Sequence, residues 1–361
     1  MLQYSTKEVI RMVLKEQKSV WSKLKSTKDP IIMYGTGNGA DKVLDILEER
    51  GIKIHGVTAS STFVRNRTFR GFQVMPISYF EEKYESCTFI ITFGSSIPAV
   101  MENIFELSKK HTILVPCVPV IGTEIFDEEF LAGNKYQIEK AYSLLADDFS
   151  KDIFCGYIDF IFGGDLKSLK KITTAEEEAF INILKLSENE AYVDIGAYRG
   201  DTVDTFLHYT NGKYNNIICA EPDGKTFKKL VEHCKNLENF QAFNVAVTDI
   251  DGRIGFSDAH GRQSAIGGEK MTDSVTLNTL CDGFSPTYIK IDSEGCENEI
   301  ISAGKNILEN FSPKLNIAAY HKFSDIFTLP IHINAINPEY KIHLRHHPYI
   351  PAWDTLYYCT I

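Results

Sequence analysis

The sequence predicts an α/β protein with two Rossmann-like domains, because short apolar strands alternate with amphipathic helices in two separate series. Such alternation favours parallel sheets whose strands are joined by right-handed crossovers. The length of 361 residues also suits two compact units better than one. We place the N-terminal domain at residues 1–133, a helical bridge at 134–173 and the C-terminal domain at 174–361.

The first series begins with an amphipathic helix over residues 6–25. Its apolar positions recur at helical spacing: Ile10, Val13, Leu14, Trp21 and Leu24. This pattern favours a helix that covers its own domain over one that lies on a membrane or a partner. A strand (IIMYG), a glycine turn with its helix (TGNGADKVLDILEERG) and a second strand (KIHGVTAS) follow. Further predicted strands are GFQVM, CTFIITFG and HTILVP, with a helix at PAVMENIFELSKK.

The bridge is predicted to be helical because apolar residues recur at helical intervals from Ile138 to Ile161, and Gly163-Gly164 interrupts it. The second series then alternates the helices AEEEAFINILKL, DTVDTFLHYT and GKTFKKLVEHCKN with the strands AYVDIG and NIICAE. QAFNVAV, TYIKID and KLNIAAY are three further strands. YKIHLRH and TLYYCTI follow each other without a helix, which predicts an antiparallel hairpin at one sheet edge.

Bulk composition argues against several classes of function. The chain has 38 basic and 48 acidic residues, a net charge of −10, which argues against nucleic acid as the main partner. No apolar stretch is long enough for a membrane span, and no signal-peptide core is visible. None of the eight cysteines forms a CxxC pair, so we expect free thiols and a cytoplasmic protein.

The first glycine turn contains Gly35, Gly37 and Gly39, which would suit a phosphate. GTGNGA is not a GxGxxG motif, however, and the second strand ends in VTAS without an acid for a ribose. A redox dinucleotide is therefore disfavoured. Binding of a nucleotide-linked sugar, a ligand-free scaffold and a dimerisation domain remain open, as does a homo-oligomeric state.

The second glycine turn, DIGAYRGD, follows a strand that ends at Asp194, with Gly196 and Gly200 before a helix that starts near Asp201. Ligands of open α/β sheets bind at the carboxyl ends of such strands. Two acids at this turn would repel a pyrophosphate and suit a ligand with an ammonium and a sulfonium. Glu221 ends the next strand, where a carboxylate can accept hydrogen bonds from ribose hydroxyls.

A second group of polar residues follows two later strands. Asp292 ends the strand in TYIKID and Glu294 lies two residues on, whereas Tyr320 and His321 end the strand in KLNIAAYH. A histidine at this edge can serve as general base towards a hydroxyl. Glu297 near the next helix start is interpreted as a complement to the helix dipole.

Residues from about 190 to the end resemble the FkbM family of methyltransferases. The matching stretches are VDIGAYRGDTVDTF, CAEPD, FNVAVTDIDG, SVTLNTLCDG, IKIDSEGCENEIISAG and AAYHK. The resemblance implies a class I methyltransferase fold, use of S-adenosylmethionine and methylation of a hydroxyl on a sugar or secondary metabolite. The residues it assigns to the cofactor are Asp194, Gly196, Ala197, Gly200, Asp201, Thr202, Glu221, Pro222, Asn244, Ala246 and Asp292. Tyr198-Arg199 departs from the smaller or less charged residues usual there.

The expected reaction is an in-line methyl transfer to a small-molecule acceptor, such as a sugar or nucleotide-sugar, with His321, Asp292 and Glu294 as the catalytic residues. His321 is the expected base and Asp292 its orienting group; a divalent ion held by Asp292 and Glu294 is the other route. Arg262 and Ser264, in a Gly- and Ser-rich segment, either close over the cofactor or hold an anionic substrate, or else belong to a plain surface hairpin. A nucleotide-sugar oxidoreductase or epimerase and a non-catalytic scaffold are the rival interpretations.

Overall fold

The computed structural model describes residues 17–60, 67–256 and 270–361. Of the predicted helix over residues 6–25, the part before residue 17 lies outside the described residues, and so does the segment with Arg262 and Ser264. Within the described ranges, no helix has both the length and the apolar character needed to cross a membrane.

The N-terminal part of the chain forms a six-stranded sheet with helices around it. The strands are β1 Ile31–Tyr34, β2 Gly56–Thr58, β3 Thr68–Phe69, β4 Phe72–Met75, β5 Thr88–Ile91 and β6 Thr112–Leu114. The helices are α1 Val20–Ser26, α2 Asn38–Glu49, α3 Ile77–Lys83 and α4 Pro98–Leu107. The strand order is β3-β4-β2-β1-β5-β6, and only β3 is antiparallel to its neighbour. This parallel core confirms the first Rossmann-like unit.

The first glycine turn packs closely against the end of β5. A Cβ atom at Gly35 would lie 2.5 Å from Oγ1 of Thr92, and one at Gly39 would lie 2.7 Å from the Thr92 carbonyl oxygen. Gly35 also has a φ of +134°, which favours glycine. Close packing against the side chain and backbone of Thr92 therefore accounts for two of the three glycines.

Helices between the two sheets hold them together. They are α5 Glu128–Gly133, α6 Lys135–Ser143, α7 Asp148–Gly163 and α8 Leu166–Ile172. Gly164, with a φ of +70°, ends α7, in agreement with the predicted break. The Gly164 carbonyl accepts a hydrogen bond from Val115 N after β6, and Ser150 Oγ of α7 accepts one from Leu344 N in the second sheet. One hydrophobic core therefore runs through both halves of the chain.

The C-terminal half contains the remaining elements. The strands are β7 Ala191–Ile195, β8 Asn216–Ala220, β9 Phe240–Phe243, β10 Ala246–Thr248, β11 Gly252–Phe256, β12 Lys270–Thr276, β13 Tyr288–Ile291, β14 Lys314–Ala318, β15 Lys341–His346 and β16 Thr355–Thr360. The helices are α9 Glu176–Glu178, which continues as a π-helical turn over Ala179–Leu184, α10 Asp201–Tyr209, α11 Gly224–Cys234, α12 Leu277–Leu280, α13 Glu297–Ala303, α14 Lys305–Phe311 and α15 Asp325–Ile336.

Seven of these strands form the main sheet in the order β15-β16-β14-β13-β7-β8-β9. Strands β9, β8, β7, β13 and β14 are parallel, and β16 and β15 form the expected antiparallel hairpin at one edge. The chain runs outward from β7 to β8 and β9, and later returns to β13 on the other side. The carboxyl ends of β7 and β13 therefore meet at the topological switch point, where ligands of open α/β sheets bind.

The prediction of a single strand at QAFNVAV is wrong. The segment splits at Asn244, because β9 lies in the main sheet while β10 joins a separate three-stranded sheet in the order β10-β12-β11. The Asn244 side-chain amide donates hydrogen bonds to the carbonyl oxygens of Glu221 (2.8 Å) and Pro222 (3.1 Å). These bonds hold the chain beside the end of β8 and direct it away from the main sheet.

Candidate active site

The second glycine turn fits tightly over the end of β13. Gly196 has a φ of +75°, and a Cβ atom there would overlap the backbone oxygen of Asp292. Gly200 has a φ of +95° and precedes α10, with Asp201 exposed in the first turn of that helix. Only glycine combines these dihedral angles with such a close approach. The turn consequently brings the backbone between β7 and α10 up to the switch point.

A buried network of hydrogen bonds and an ion pair holds this turn in place. The Asp194 carboxylate is fully buried, and its Oδ2 accepts a hydrogen bond of 2.5 Å from Oγ1 of Thr202. Its Oδ1 lies 3.3 Å from Nζ of Lys290, which also donates a hydrogen bond of 2.8 Å to the Gly196 carbonyl. In this arrangement Asp194 faces the protein's own groups and fixes the turn from inside.

Lys290 is a site residue that the sequence reasoning missed. Burial by itself lowers the pKa of its ammonium, but the carboxylates of Asp194 and Asp292 more than offset this and raise the pKa above its usual value. The signal in the sequence is a lysine inside an otherwise apolar buried strand, YIKI. A buried lysine requires a carboxylate partner, which at this sheet edge points to Asp194.

Glu221 lies at the end of β8 beside the glycine turn. Its Oε2 accepts a hydrogen bond of 3.0 Å from Tyr198 N, and its Oε1 accepts one of 2.8 Å from Asp223 N. Burial raises the pKa of this carboxyl to about 7. Arg199, next to Tyr198, is exposed with its guanidinium 4.9 Å from the centre of the Tyr198 ring. The carboxyl and the turn are thus locked together.

A carboxylate–histidine cluster occupies the ends of β13 and β14. The His321 ring is buried, with Nδ1 2.9 Å from Oε1 of Glu297 and Nε2 3.4 Å from Oδ1 of Asp292. The same Nε2 lies 3.5 Å from Oε2 of Glu294, a residue with a φ of +52°. Tyr320 places its hydroxyl 3.4 Å from both oxygens of the Asp292 carboxylate. We call Asp292, Glu294, Glu297 and His321 the acid–histidine cluster.

Glu297 does more than complement a helix dipole, so the interpretation from the sequence is corrected. Its side chain is fully buried, and Oε1 accepts hydrogen bonds from Ser293 N (2.8 Å) and Ser293 Oγ (3.0 Å) besides contacting His321. Burial raises the pKa of Glu297, but His321 outweighs this effect and lowers it to about 2. Sequence spacing alone could not show that this helix start turns inward.

The ionisation of the cluster follows from its crowding. Burial lowers the pKa of His321, but Glu297, Asp292 and Glu294 together raise it to about 10. Burial raises the pKa of Glu294 to about 7 against the opposing effect of His321. The imidazole therefore carries a proton at neutral pH, whereas Glu294 exchanges one in that range.

Residues of the N-terminal half form one wall of the cluster. The Ile121 N–H donates a hydrogen bond of 3.0 Å to the His321 carbonyl, and a Cβ atom at Gly295 would lie 3.2 Å from Cγ1 of Ile121. Lys42 of α2 holds this segment by donating to the carbonyls of Pro119 (3.2 Å) and Val120 (2.9 Å). A small pocket beside Tyr320 is lined from both halves, including Cys117, Tyr157 and Trp353.

Most of the predicted site residues, together with Lys290 and Glu297, fall into three neighbouring groups. Asp194, Gly196, Thr202 and Lys290 form the buried network, and Glu221 with Pro222 and Asn244 adjoins the glycine turn. The acid–histidine cluster is the third group. Ala197 is buried in the turn, whereas Ala246 is buried in β10 of the three-stranded sheet. The contact between Gly196 and Asp292 joins the turn to the cluster.

A glycine turn at the switch point, an acid at the end of the next strand and an antiparallel terminal hairpin give the C-terminal half the fold of the class I methyltransferases. Residues 194–346 match the model of the methyltransferase FkbM domain. The similarity to this family thus lies in the C-terminal half of the chain. No curated protein matches the sequence significantly.

Solved structures are similar in fold. The methyltransferase FkbM from Methylobacillus flagellatus KT matches with a TM-score of 0.72 and 18% identity, over 97% of this chain and 93% of that chain. Precorrin-6y C5,15-methyltransferase from Geobacter metallireducens GS-15 matches at 0.34 and 13% identity, over 53% and 90% of the two chains. Aeropyrum pernix fibrillarin, solved with S-adenosyl-L-methionine, matches at 0.32 and 10% identity, over 49% and 69%. The first likeness shows the fold of nearly the whole chain, and the other two support no further conclusion.

Proposed function

We propose that this methyltransferase uses S-adenosylmethionine and methylates a hydroxyl of a sugar or another secondary metabolite. The observation that carries the proposal is the contact between the Gly196 turn and Asp292, which joins a cofactor-type turn to a group of ionisable side chains. A methyl donor in the turn would then lie next to side chains that can handle the acceptor's proton. The eight cysteines are all free thiols, which supports a cytoplasmic location.

Cofactor binding is assigned to the turn and the strand end beside it. Glu221 would accept hydrogen bonds from the ribose hydroxyls, while backbone groups from Gly196 to Gly200 would contact the amino-acid part. Asp194 and Thr202 would act by positioning the turn, since Asp194 is fully buried. Asn244, Pro222 and Ala246 are assigned to the adenine side, and Asp201 to the exposed start of α10.

Catalysis is assigned to Asp292, Glu294 and His321. The sulfonium of the cofactor is already activated, so the protein has to orient the acceptor and remove its hydroxyl proton. The raised pKa of Glu294, about 7, suits proton transfer near neutral pH. His321, with a pKa of about 10, would orient Glu294 and Asp292 as a cation instead of serving as the base expected from sequence.

Calorimetric titration of the full chain with S-adenosylhomocysteine tests the cofactor assignment. One saturable site is expected, and Glu221→Ala should weaken it because the ribose hydroxyls lose their acceptor. Glu188→Ala, which removes an exposed partner of Lys213, is the matched control and should bind like the unmodified chain. No binding of S-adenosylhomocysteine together with binding of NAD would support the rival oxidoreductase and refute the proposal.

A further inference from the structure

The acid–histidine cluster contains more negative charge than a hydrogen-bonded histidine needs. Three carboxylates surround one imidazole, and the ligand atoms of Asp292, Glu297 and His321 all lie within 4.8 Å of one another. Even a protonated ring would balance only one of these charges. Lys290 is 4.0 Å from Asp292, but it is shared with Asp194 at 3.3 Å.

The His321 ring is oriented in the way that metal-binding histidines usually are. Glu297, itself fully buried, holds Nδ1 at 2.9 Å, so the other nitrogen is directed away from it. A carboxylate on one ring nitrogen fixes the tautomer and raises the basicity of the nitrogen that binds a metal. The remaining nitrogen, Nε2, faces the carboxylates of Asp292 and Glu294.

The distance from Nε2 to the carboxylate of Asp292, and likewise to that of Glu294, is the distance between two ligands of one ion. Its distances to Asp292 Oδ1 and Glu294 Oε2 are 3.4 and 3.5 Å, which is long for a hydrogen bond. Two donors that each lie about 2.1 Å from a tetrahedral ion are about 3.4 Å apart. In addition, the buried Oε2 of Glu297 has no hydrogen-bond partner among the described residues, which leaves an acceptor in the cluster for a cation or its bound water.

We propose that Asp292, Glu294 and His321 Nε2 bind a divalent transition-metal ion, which displaces the Nε2 proton of His321 and any proton on Glu294. Glu297 is the positioning residue of His321. Mixed imidazole and carboxylate donors suit ions such as Mn²⁺ or Zn²⁺. The site differs from the one considered from sequence, which held only Asp292 and Glu294. Only the role of the ion rests on the proposed function: the ion would lower the pKa of a coordinated acceptor hydroxyl. Metal binding itself requires neither acceptor nor cofactor.

Titration of the full, chelator-treated chain with Mn²⁺ in the absence of cofactor tests this site. Calorimetry should show one saturable site, and the electron paramagnetic resonance signal of free Mn²⁺ should decrease with the same stoichiometry. Asp292→Asn should weaken binding by at least about 10-fold because a charged ligand is lost. Glu309→Gln removes an exposed acid that pairs with Lys305 and should leave the affinity unchanged.

Glu297→Gln separates positioning from coordination. This variant should weaken Mn²⁺ binding about 10- to 100-fold, as loss of an outer-sphere carboxylate typically does. Circular dichroism on each variant establishes that it is folded. Absence of Mn²⁺ binding, or equal affinity of Asp292→Asn and the unmodified chain, would overturn the inference. If S-adenosylhomocysteine binds but Mn²⁺ does not, the metal site is refuted and the proposed function stands. If Mn²⁺ binds but S-adenosylhomocysteine does not, the metal site stands and the proposed function is refuted.

Discussion

His321 and Glu297 form a buried pair in which Nδ1 of the imidazole lies 2.9 Å from Oε1 of the carboxylate. The two residues come from different elements, the end of β14 and the start of α13, so the pair joins two neighbouring crossovers of the sheet. Both side chains are almost completely removed from solvent. Loss of either partner therefore leaves the other buried without its main counter-charge.

His321→Gln should destabilise the protein by about 3–5 kcal/mol, because the Glu297 carboxylate stays buried and loses its partner. The measurement is urea unfolding in the presence of a chelator. The double variant His321→Gln/Glu297→Gln should recover part of this loss, since no buried charge is then left unpaired. A double variant whose loss equals the sum of the two single losses would show that the residues act independently.

Gly196→Ala should lower the free energy of unfolding clearly more than the same substitution at a glycine that has a positive φ but open space around it. Gly212 is the matched control, because its φ of +72° is close to the +75° of Gly196 but open space surrounds it. Gly212→Ala should cost roughly 1–2 kcal/mol for the left-handed backbone alone. Gly196→Ala adds the overlap with the Asp292 oxygen, and it should also abolish S-adenosylhomocysteine binding. Equal unfolding midpoints for the two variants would contradict this.

Cofactor affinity should rise with pH around neutrality. Burial raises the pKa of Glu221 to about 7, and the ionised carboxylate is the better acceptor for ribose hydroxyls. The ionised fraction increases about 10-fold between about pH 6 and about pH 8, so the dissociation constant of S-adenosylhomocysteine should fall by a similar factor. Calorimetry at both values measures this change. Glu221→Gln should bind more weakly and show a flat profile; a slope that persists in the variant would assign it to another group.

Arg345→Met should lower the stability of the whole chain. The buried guanidinium donates to Glu178 Oε2 at 2.5 Å, to Asp147 Oδ2 at 3.2 Å and to Ser150 Oγ at 2.8 Å, which connects β15 to α9 and to the start of α7. Removal of this charge should cost about 3 kcal/mol. Arg253, which pairs with Asp273 while both are exposed, is the control, and Arg253→Met should cost less than about 1 kcal/mol. Thermal unfolding compares the two.

The sequence predicted those features of the fold that depend on residues within one short segment. Alternating strands and helices, the turn at Gly196 and the terminal hairpin each depend on hydrophobic periodicity or backbone geometry within one short segment. The inward direction of Glu297 and the buried ammonium of Lys290 depend on which elements pack beside them. Acids at helix starts are usually solvated, and only the position of His321 shows that Glu297 is buried instead.

The break of the apparent strand QAFNVAV at Asn244 also depends on contacts between separate segments of the chain. Apolar residues continue through QAFNVAV, and periodicity alone gives no reason for a break. The break depends on side-chain hydrogen bonds to the carbonyls of Glu221 and Pro222, which come close only after β8 and β9 have paired. The contact between Ile121 and His321 is likewise invisible in the sequence, because 200 positions separate the two residues.

The hydrogen bond from Ile121 N–H to the His321 carbonyl limits how the protein can be cut into fragments. A fragment that starts at residue 174 would keep every ionisable side chain of the cluster but would expose the carbonyl of its histidine to water. The same cut would remove α7, which packs against β15. Exchange of the N-terminal half for that of a relative would therefore alter the enclosure of the cluster, because the two halves form one structural unit.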